Sequence, residues 1–408
     1  MLCYCGMRWH YQPNSVWQEK EMTQSALAKT ISAVRSAFRG YYFKPNMIET
    51  PDMIEQREFG YMQFGQVGMV RHLSFNSMKE LTATIIKEAP ADIYCSNAYY
   101  RFPTYPMQEK QWLGADLIFD IDGKDLHLPC VSSHSYFVCA NCGRASASAP
   151  DEKKGYPCQL CSGKELDSVS IPCANCIDGS KKEVKHLIEF LTGDLGMKQG
   201  AIQVYFSGNN GFHIHISDGA YARLDPQARS DLVGYISGAG LMAESVGVRK
   251  GNAENLFLIK FPKSGLAYGW RARVADKLKI SSSSIIKLKH IVEQRGGYTP
   301  FKVDVDRMAR DMGVRIDPQV TTDVHRVFRM PGTLNSKSGL VKMKCGDLDS
   351  FDPLVEACLL GDNKVSVRVK TSVKLKLKNK SFNISKESAE LPAYAAVYLI
   401  CKRLAEAN

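Results

Sequence analysis

Two aspartates separated by one residue are the first candidates for chemistry. Asp120 and Asp122 end the run Leu-Ile-Phe-Asp-Ile-Asp at residues 117–122. If this run is a β-strand, both carboxylates project from one face while the intervening apolar residues face the core. Their backbone positions then lie ~6.6 to 6.8 Å apart. Their oxygens could therefore bind a pair of hard cations ~3.5 to 4 Å apart.

Oxygen ligands of this kind favour Mg²⁺ or Mn²⁺. Such ions would bridge a triphosphate and activate an attacking 3'-hydroxyl. An Asp-x-Asp pair at a strand end can also be simply solvated or cap a turn, and the pair alone does not decide between these readings. Asp116 shares the strand parity but lies four residues before Asp120, so we assign it a structural or supporting role.

A hairpin rich in glycine is the second candidate. Within residues 201–216, the segment Asn209–Gly211 separates two alternating apolar runs, which is a hairpin signal. The alternation places His213 and His215 on one face. Ser207 and the glycines beside it could form a cradle of backbone amides for nucleotide phosphates. A simple turn is the alternative.

A late segment, residues 315–340, combines the acid Asp317 with several cations, including Arg329 and Lys337, around a Pro-Gly turn. Mixed charges at this density indicate either a metal with a triphosphate or structural ion pairs.

Cysteine spacing predicts metal binding between residues 130 and 176. The inner set, Cys-x2-Cys repeated after fifteen residues, has the spacing of a zinc ribbon and consists of Cys139, Cys142, Cys158 and Cys161. The outer set consists of Cys130, His134, Cys173 and Cys176. One zinc with spare thiols and two structural zincs are both open, and we favour two because the eight ligands fill two tetrahedral sites.

The segment around these ligands lacks a core-like apolar pattern, so we expect metal rather than a hydrophobic core to hold it together. Four isolated cysteines should be buried thiols, namely Cys95, Cys345, Cys358 and Cys401.

The elements that must position these groups form a mixed α/β pattern. Strands are predicted at 59–64, 69–75 and 115–121, with a helix at 79–89 between the second and third. Further helices are predicted at 183–195, 226–245, 283–312 and 391–406. The tail at 364–380 alternates apolar residues with Arg or Lys, which predicts a cationic strand face. That face could follow a template backbone or protect an edge strand.

Composition supports a large core and a polyanionic partner. The 408 residues suggest two or three domains, and 44% are hydrophobic. The net charge of +11 suits phosphate binding, although a merely basic enzyme would share it. No membrane span or signal peptide is indicated, so we expect a cytoplasmic protein. Residues 1–21 show no clear period and form an uncertain leader, with Met22 an alternative start.

Four segments in order, Arg57–Gly60, Asp120–Asp122, Ser207–His213 and Asp317–Leu340, closely resemble motifs of the small catalytic subunit of archaeal and eukaryotic DNA primases. The resemblance covers most of residues 22–345. Any one motif would be a weak signal, but four in the family's order are highly specific.

The resemblance implies an α+β fold with an RRM-like catalytic sheet. The catalytic core would comprise residues 22–129, 177–218 and 311–408. A mainly helical subdomain would occupy 219–310, and the zinc-binding module would be an insert at 130–176.

The resemblance also implies roles for individual residues. The matching metal ligands are Asp120, Asp122 and Asp317. The matching nucleotide-binding residues are Ser207, His213, Arg329, Lys337 and Arg71, the last of which clusters with Arg57 and Glu58. Asn210 and Asn335 depart from the pattern, because many relatives carry Arg and His there. Both asparagines can donate hydrogen bonds to phosphate, but neither supplies charge.

The implied activity is synthesis of short RNA primers from nucleoside triphosphates on single-stranded DNA during replication, and whether DNA primers are also made stays open. The implied partner is a large subunit with an iron-sulfur cluster, and a replicative polymerase and a helicase are further candidates. A repair or translesion primase-polymerase that extends existing ends is one alternative. A non-catalytic zinc-ribbon subunit that binds nucleic acid is another, and three retained carboxylates argue against it.

Overall fold

The computed structural model describes residues 24–147, 158, 160–163, 165–253, 255–260, 268–280, 284–385 and 388–408, so the predicted leader lies outside the described residues. The helices are α1 (Gln24–Tyr42), α2 (Met78–Glu88), α3 (Ala174–Glu189), α4 (Pro226–Ser237), α5 (Gly269–Lys277), α6 (Ile285–Gln294), α7 (Tyr298–Met312), α8 (Pro318–Thr322), α9 (Pro353–Glu356) and α10 (Ala393–Cys401). The strands are β1 (Phe59–Met62), β2 (Val70–Leu73), β3 (Asp92–Ser96), β4 (Ala98–Tyr100), β5 (Trp112–Ala115), β6 (Leu117–Asp122), β7 (Ser135–Cys139), β8 (Ala145–Ser146), β9 (Leu166–Ser170), β10 (Ile202–Phe206), β11 (Gly211–Ile216), β12 (Val248–Lys250), β13 (Phe257–Ile259), β14 (Val327–Arg329), β15 (Met343–Lys344), β16 (Lys364–Val369), β17 (Val373–Leu377), β18 (Lys380–Ile384), β19 (Ser388–Pro392) and β20 (Ala405–Ala407).

A four-stranded antiparallel sheet in the order β15-β10-β11-β6 carries the predicted acids and the hairpin. Asp120 lies opposite His213 in the register, and Asp122 lies opposite Gly211. The alternate residues of β6 are buried and face the core, where α3 packs against the sheet. A Cβ on Gly211 would lie 2.3 Å from the Ile121 carbonyl oxygen, so the close approach of β6 and β11 requires glycine. This sheet carries the residues that the resemblance assigns to a catalytic sheet, and we refer to it as the catalytic sheet.

A second four-stranded sheet, in the order β14-β3-β1-β2, lies over the open face of the first. Phe328 of β14 stacks edge-on against His213 and His215, with ring centroids 5.8 and 6.5 Å apart. The predicted strands near 59–64 and 69–75 belong to this sheet. The functional face of the catalytic sheet is therefore enclosed between the two sheets.

The strand predicted at 115–121 is two strands, because Asp116 interrupts it. The Asp116 carboxylate accepts a hydrogen bond of 2.8 Å from Arg57, and Tyr99 also donates to it. β5 then pairs with β4, whereas β6 joins the catalytic sheet. Asp116 is thus a structural residue, as predicted.

The segment predicted to bind zinc, residues 130–176, shares the main hydrophobic core, so the expectation that it lacks apolar packing is wrong. β7, β8 and β9 form a three-stranded sheet. Val138 is fully buried, and Tyr136 and Ile171 pack in the same core as the catalytic sheet. The short strands gave too few alternating residues to reveal this from the sequence. α3 also begins at Ala174, nine residues earlier than predicted, which places Cys176 on a core helix.

A second hydrophobic cluster joins α5, α6 and α7 to the β12-β13 pair, within the range where a mainly helical subdomain is predicted. The helix predicted at 283–312 is broken at Gly296–Gly297. Gly297 has φ +103°, and a Cβ there would lie 2.2 Å from the Asn255 carbonyl oxygen. The helix predicted at 226–245 ends at Ser237, where Gly238 adopts a left-handed conformation.

The basic tail does not form one cationic face. β16 is the central strand of the sheet β19-β16-β20, whereas β17 pairs with β18. Arg368 and Lys370 form ion pairs with Glu406 at 2.8 and 3.2 Å, which neutralises the cations of β16. Lys374 and Lys376 of β17 are exposed. The predicted terminal helix is the shorter α10, which is followed by β20.

Candidate active site and metal centres

Three acidic residues meet at the end of β6. Asp317 is the N-cap of α8, and its backbone N–H donates to the Asp120 carbonyl oxygen at 3.1 Å. α8 is held against β6 because Thr321 donates to the Ile118 carbonyl oxygen at 2.9 Å. Asp122 follows on the same face of the strand. The structure thus brings Asp317 beside a pair that lies almost 200 positions earlier in the chain.

Burial is the main cause that raises the pKa of Asp120 to about 7, and the neighbouring charges of Asp122 and Asp317 contribute to this rise. Lys124 opposes this shift; its ammonium lies 3.1 Å from a carboxylate oxygen of Asp122. Repulsion among three acids is relieved when hard cations bind between them. The oxygen donors and their mutual repulsion therefore fit divalent cations.

The hairpin between β10 and β11 presents its turn next to these acids. The Ser207 hydroxyl accepts the backbone N–H groups of Asn209 and Gly211 at 3.4 and 3.2 Å. Two amides of the predicted phosphate cradle are thus already used within the turn. Asn210 contacts Ser170 at 3.2 Å, and its carbonyl oxygen accepts the N–H of Gly123. The turn is fixed to β6 and β9 on both sides.

The late segment docks on this turn. Asn335 donates to the Ser207 carbonyl oxygen at 3.4 Å, and the Ser338 hydroxyl donates to that of Gly208. Asn335 also accepts the backbone N–H of Lys337 at 2.9 Å. Burial lowers the pKa of Lys337. The charge of Asp92 opposes this shift, and that of Arg329 adds to it. Asn335 therefore holds the late segment against the hairpin rather than supplying charge.

Two cavities flank the acids. One of about 640 Å³ lies against the open face of the catalytic sheet and is lined by Arg57, His215 and Arg329, among others. The other, of about 470 Å³, lies on the far side of Asp122 and is lined by Lys337 and the hairpin turn. Asp120 lies between them along β6. The two cavities thus lie at opposite ends of β6.

Both predicted cysteine sets are assembled in space. Among the residues that the structure describes, only the inner and outer sets bring three or more candidate ligand atoms within 4.8 Å of one another. The Sγ atoms of Cys142 and Cys158 lie 3.5 Å apart, and Cys176 Sγ lies 3.3 Å from His134 Nε2. A hydrogen bond from Asn141 lowers the pKa of Cys161 to about 7, which favours the thiolate that binds metals. The four isolated cysteines are buried, as predicted.

Comparison with known proteins agrees with this geometry. The family model for the DNA primase small subunit matches residues 165–344. The DNA primase small subunit PriS of Nitrosopumilus maritimus is 42% identical over 379 residues, which cover 92% of this chain and 98% of the relative. The chain belongs to the DNA primase small subunit family.

Two further primase small subunits support this membership. The protein of Cenarchaeum symbiosum is 39% identical over 383 residues, which cover 93% of this chain and 99% of the relative. The protein of Methanococcoides burtonii is 31% identical over 426 residues, with coverage of 93% and 98%. The interpretation based on four motifs is confirmed: the chain is a catalytic primase subunit that synthesises primers as a DNA-directed nucleotidyltransferase. Among the described residues, no helix of this primase subunit has the length and apolar character needed to cross a membrane.

Lys342 is a site residue of this primase subunit that sequence reasoning missed. Its side chain is fully buried, and its Nζ lies 3.0 Å from His213 Nδ1 and 3.3 Å from His215 Nε2. Burial lowers the pKa of Lys342 to about 7 and that of each histidine well below its usual range. The sequence places Lys342 among apolar residues, but this pattern does not predict burial because lysine is usually exposed.

Arg71 and Arg329 pair with acids of the primase core. Arg71 forms a bidentate pair with Glu58 at 2.8 and 3.1 Å, and the structure does not bring it into contact with the acids of β6. Arg329 lies 2.5 Å from Asp92 and donates to the Leu334 carbonyl oxygen at 3.0 Å. Arg329 nevertheless lines the cavity of about 640 Å³. Its guanidinium therefore has room to contact a phosphate there while it stays paired with Asp92.

The Asp120→Asn variant should be more stable than the wild-type protein at pH 8 when no Mg²⁺ or Mn²⁺ is added. A carboxyl whose folded-state pKa is raised stabilises the fold at low pH and loses that stabilisation as pH rises from about 4 to about 7. Because the side chain is 22% exposed, solvent screens part of the effect. We expect a gain on the order of 2 kcal/mol at pH 8 and almost none at pH 4.5. Thermal unfolding at both pH values measures it, and equal midpoints at pH 8 would contradict the repulsion.

Proposed function

We propose that primer synthesis takes place at the acidic cluster, where Asp120, Asp122 and Asp317 hold two divalent cations, Mg²⁺ or Mn²⁺. The observation that carries this proposal is the hydrogen bond from the Asp317 backbone to Asp120, which fixes the third acid beside the first two. Two ions are proposed because carboxylates on one strand face and beside it can share a pair of cations that bind the attacking and leaving oxygens.

The cations would neutralise triphosphate oxygens and lower the pKa of the primer 3'-hydroxyl. That hydroxyl attacks the α-phosphate, the bond to the β-phosphate breaks, and pyrophosphate leaves. No protein nucleophile is needed, because positioning and charge stabilisation supply the catalysis.

His213 orients the substrate as a neutral donor in this scheme. Its Nδ1 accepts from the Lys342 ammonium at 3.0 Å, which assigns the proton to Nε2. Nε2 lies 3.6 Å from a carboxylate oxygen of Asp120, so an N–H there would lie beside the proposed metal ligands, where the reacting phosphate would bind. Lys337 lines the cavity beside Asp122 and Arg329 lines the other cavity. We expect both, together with Ser207 of the hairpin, to contact phosphate groups of the substrates. Arg71, which pairs with Glu58, would contribute only at longer range.

We further propose that both cysteine sets hold structural zinc, because four thiolates or three thiolates with one imidazole are tetrahedral zinc ligands. Complete coordination leaves no open position for a catalytic water. The partners would be a single-stranded DNA template, nucleoside triphosphates and a large subunit with an iron-sulfur cluster, in the cytoplasm. A replicative polymerase and a helicase are further candidate partners.

Metal analysis of untagged, unchelated protein should give two zinc ions per chain. Cys161→Ser should lower this to one, because it removes one ligand of the inner set only. Cys358→Ser changes a buried thiol outside both sets and should leave two. Less than one zinc per wild-type chain would refute structural zinc, and an equal loss in the Cys358 variant would show that the effect is not specific to the set.

De novo synthesis on single-stranded DNA tests the proposed reaction. The protein is incubated with a template lacking free 3' ends and labelled nucleoside triphosphates, with and without the large subunit. Dinucleotides and short primers are the expected products. Extension of an added primer without any de novo product would instead support a repair primase-polymerase.

A further inference from the structure

A buried lysine near the end of the chain faces the cavity beside Asp122. Lys402 follows α10 directly and is only 4% exposed. Its side chain lines the cavity of about 470 Å³ together with Lys337, Lys124 and Asp122. A basic residue at the end of a helix commonly interacts with the helix carbonyls. Lys402 instead extends to the hairpin turn, where its Nζ donates to the Asn209 side-chain oxygen at 2.8 Å.

The charge of Lys402 is not matched by a carboxylate in direct contact. Its recorded contacts among the described residues are the neutral amide of Asn209 and the ring of Tyr398, whose centroid lies 5.5 Å away. Burial lowers the pKa of Lys402 to about 7, and the charge of Lys337 lowers it as well. A buried ammonium without a paired anion is costly. A group that brings negative charge into the cavity would remove this cost.

The hairpin turn itself supplies no charge. Residues 207–211 are Ser, Gly, Asn, Asn and Gly, so the turn offers hydrogen bonds alone. Lys402 and Lys337 come from two different parts of the chain, and both line the cavity of about 470 Å³ beside this turn. Two ammonium groups beside a neutral turn form a pocket for a multiply charged oxyanion.

We propose that Lys402 binds the terminal phosphates of the incoming nucleoside triphosphate, and that Asn209 positions its ammonium in the cavity before the nucleotide arrives. The proposal rests on the proposed function for the identity of the ligand. The C-terminal helix α10 would thereby contribute to the nucleotide site the cation that the hairpin lacks. Lys402 is a binding residue here and takes no part in the proton or phosphoryl transfer.

Binding of inorganic tripolyphosphate and of a non-hydrolysable nucleoside triphosphate, measured by calorimetry, tests the proposal. Lys402→Met keeps the length of the side chain and removes its charge, and we expect about tenfold weaker binding of both ligands. Lys402→Arg should restore most of the affinity. Lys378→Met is the matched control, because Lys378 contacts the ring of Tyr394 and lies outside this cavity. The control should bind as the wild-type protein does.

Asn209→Asp provides a second test that leaves Lys402 in place. The new carboxylate would pair with the ammonium and compete with phosphate, so tripolyphosphate binding should weaken about as much as in Lys402→Met. In primer synthesis, the KM for the nucleotide should rise about tenfold in Lys402→Met, with little change in kcat. A change in kcat alone would point to a structural role and overturn the proposal.

Affinity within twofold of wild type in a folded Lys402→Met variant would also overturn it, and so would an equal loss in the Lys378 control. These binding measurements require no turnover. Wild-type protein that binds tripolyphosphate through Lys402 but makes no primers would refute the proposed function and leave this inference standing. Normal priming together with unchanged tripolyphosphate binding in Lys402→Met would overturn the inference about Lys402 and leave the proposed function standing.

Discussion

Replacing Asp122 by asparagine should lower the rate of primer synthesis by at least about 1,000-fold, because it removes a charged ligand of the proposed cations. Asp317→Asn should have an effect of the same size. Both variants keep the shape of the side chain and its ability to accept a hydrogen bond. Both acids cap short helical turns through that bond, so the fold should be retained. Steady-state incorporation of labelled nucleotide on single-stranded DNA measures the loss.

Asp125→Asn is the matched control for these variants. Asp125 lies three residues after Asp122 on the same surface turn, is exposed, and should be dispensable for catalysis. Circular dichroism and binding of single-stranded DNA should be unchanged in all three variants. Primer synthesis above about one tenth of the wild-type rate in Asp317→Asn would remove that residue from the site. Equal losses in Asp125→Asn would show a general effect of surface charge.

Replacing Glu58 by alanine should cost about 3 to 5 kcal/mol of stability, because it leaves buried cations without their anion. The side chains of Glu58 and Lys110 are both 0% exposed, and their charged atoms lie 3.2 Å apart. Arg71 donates to the same carboxylate. Burial raises the pKa of Glu58, but the hydrogen bond and charge of Arg71 and the charge of Lys110 lower it by more, so the carboxylate is ionised. The pair stabilises the fold only while both partners are present.

Chemical denaturation followed by fluorescence measures this loss, with Glu55→Ala as the control. Glu55 is exposed and lies on the turn that precedes β1. Its removal should change the free energy of unfolding by less than about 0.5 kcal/mol. A similarly small change in Glu58→Ala would mean that Lys110 finds another partner or is neutral in the fold.

The sequence predicted the features of the site that are local in the chain. The strand parity of Asp120 and Asp122, the hairpin around Gly211 and the cysteine spacing each depend on a few neighbouring residues. All three are present in the structure. The place of Asp317 beside them could be predicted only through the family resemblance, because one backbone hydrogen bond across the fold creates it.

Features that depend on distant contacts were missed or misread. The sequence did not reveal that Arg329 and Arg71 each pair with an acid on another strand or segment, and their contact with nucleotide stays a prediction. Lys342 and Lys402 were overlooked because lysine is seldom buried, and nothing nearby in sequence marks these two as exceptions. The insert was expected to lack a core because its apolar residues are spread over three short strands. Each error concerns burial by residues far away in the chain.

Anomalous diffraction from crystals soaked with Mn²⁺ and a non-hydrolysable nucleoside triphosphate would show whether the three carboxylates hold the cations. We expect two manganese peaks ~3.5 to 4 Å apart, each bound by at least one of Asp120, Asp122 and Asp317, with the nucleotide phosphates beside them. Soaks of Asp317→Asn crystals should lose at least one peak. Nucleotide bound with no manganese at these three carboxylates, or manganese bound only elsewhere in the chain, would refute a metal site at the three acids.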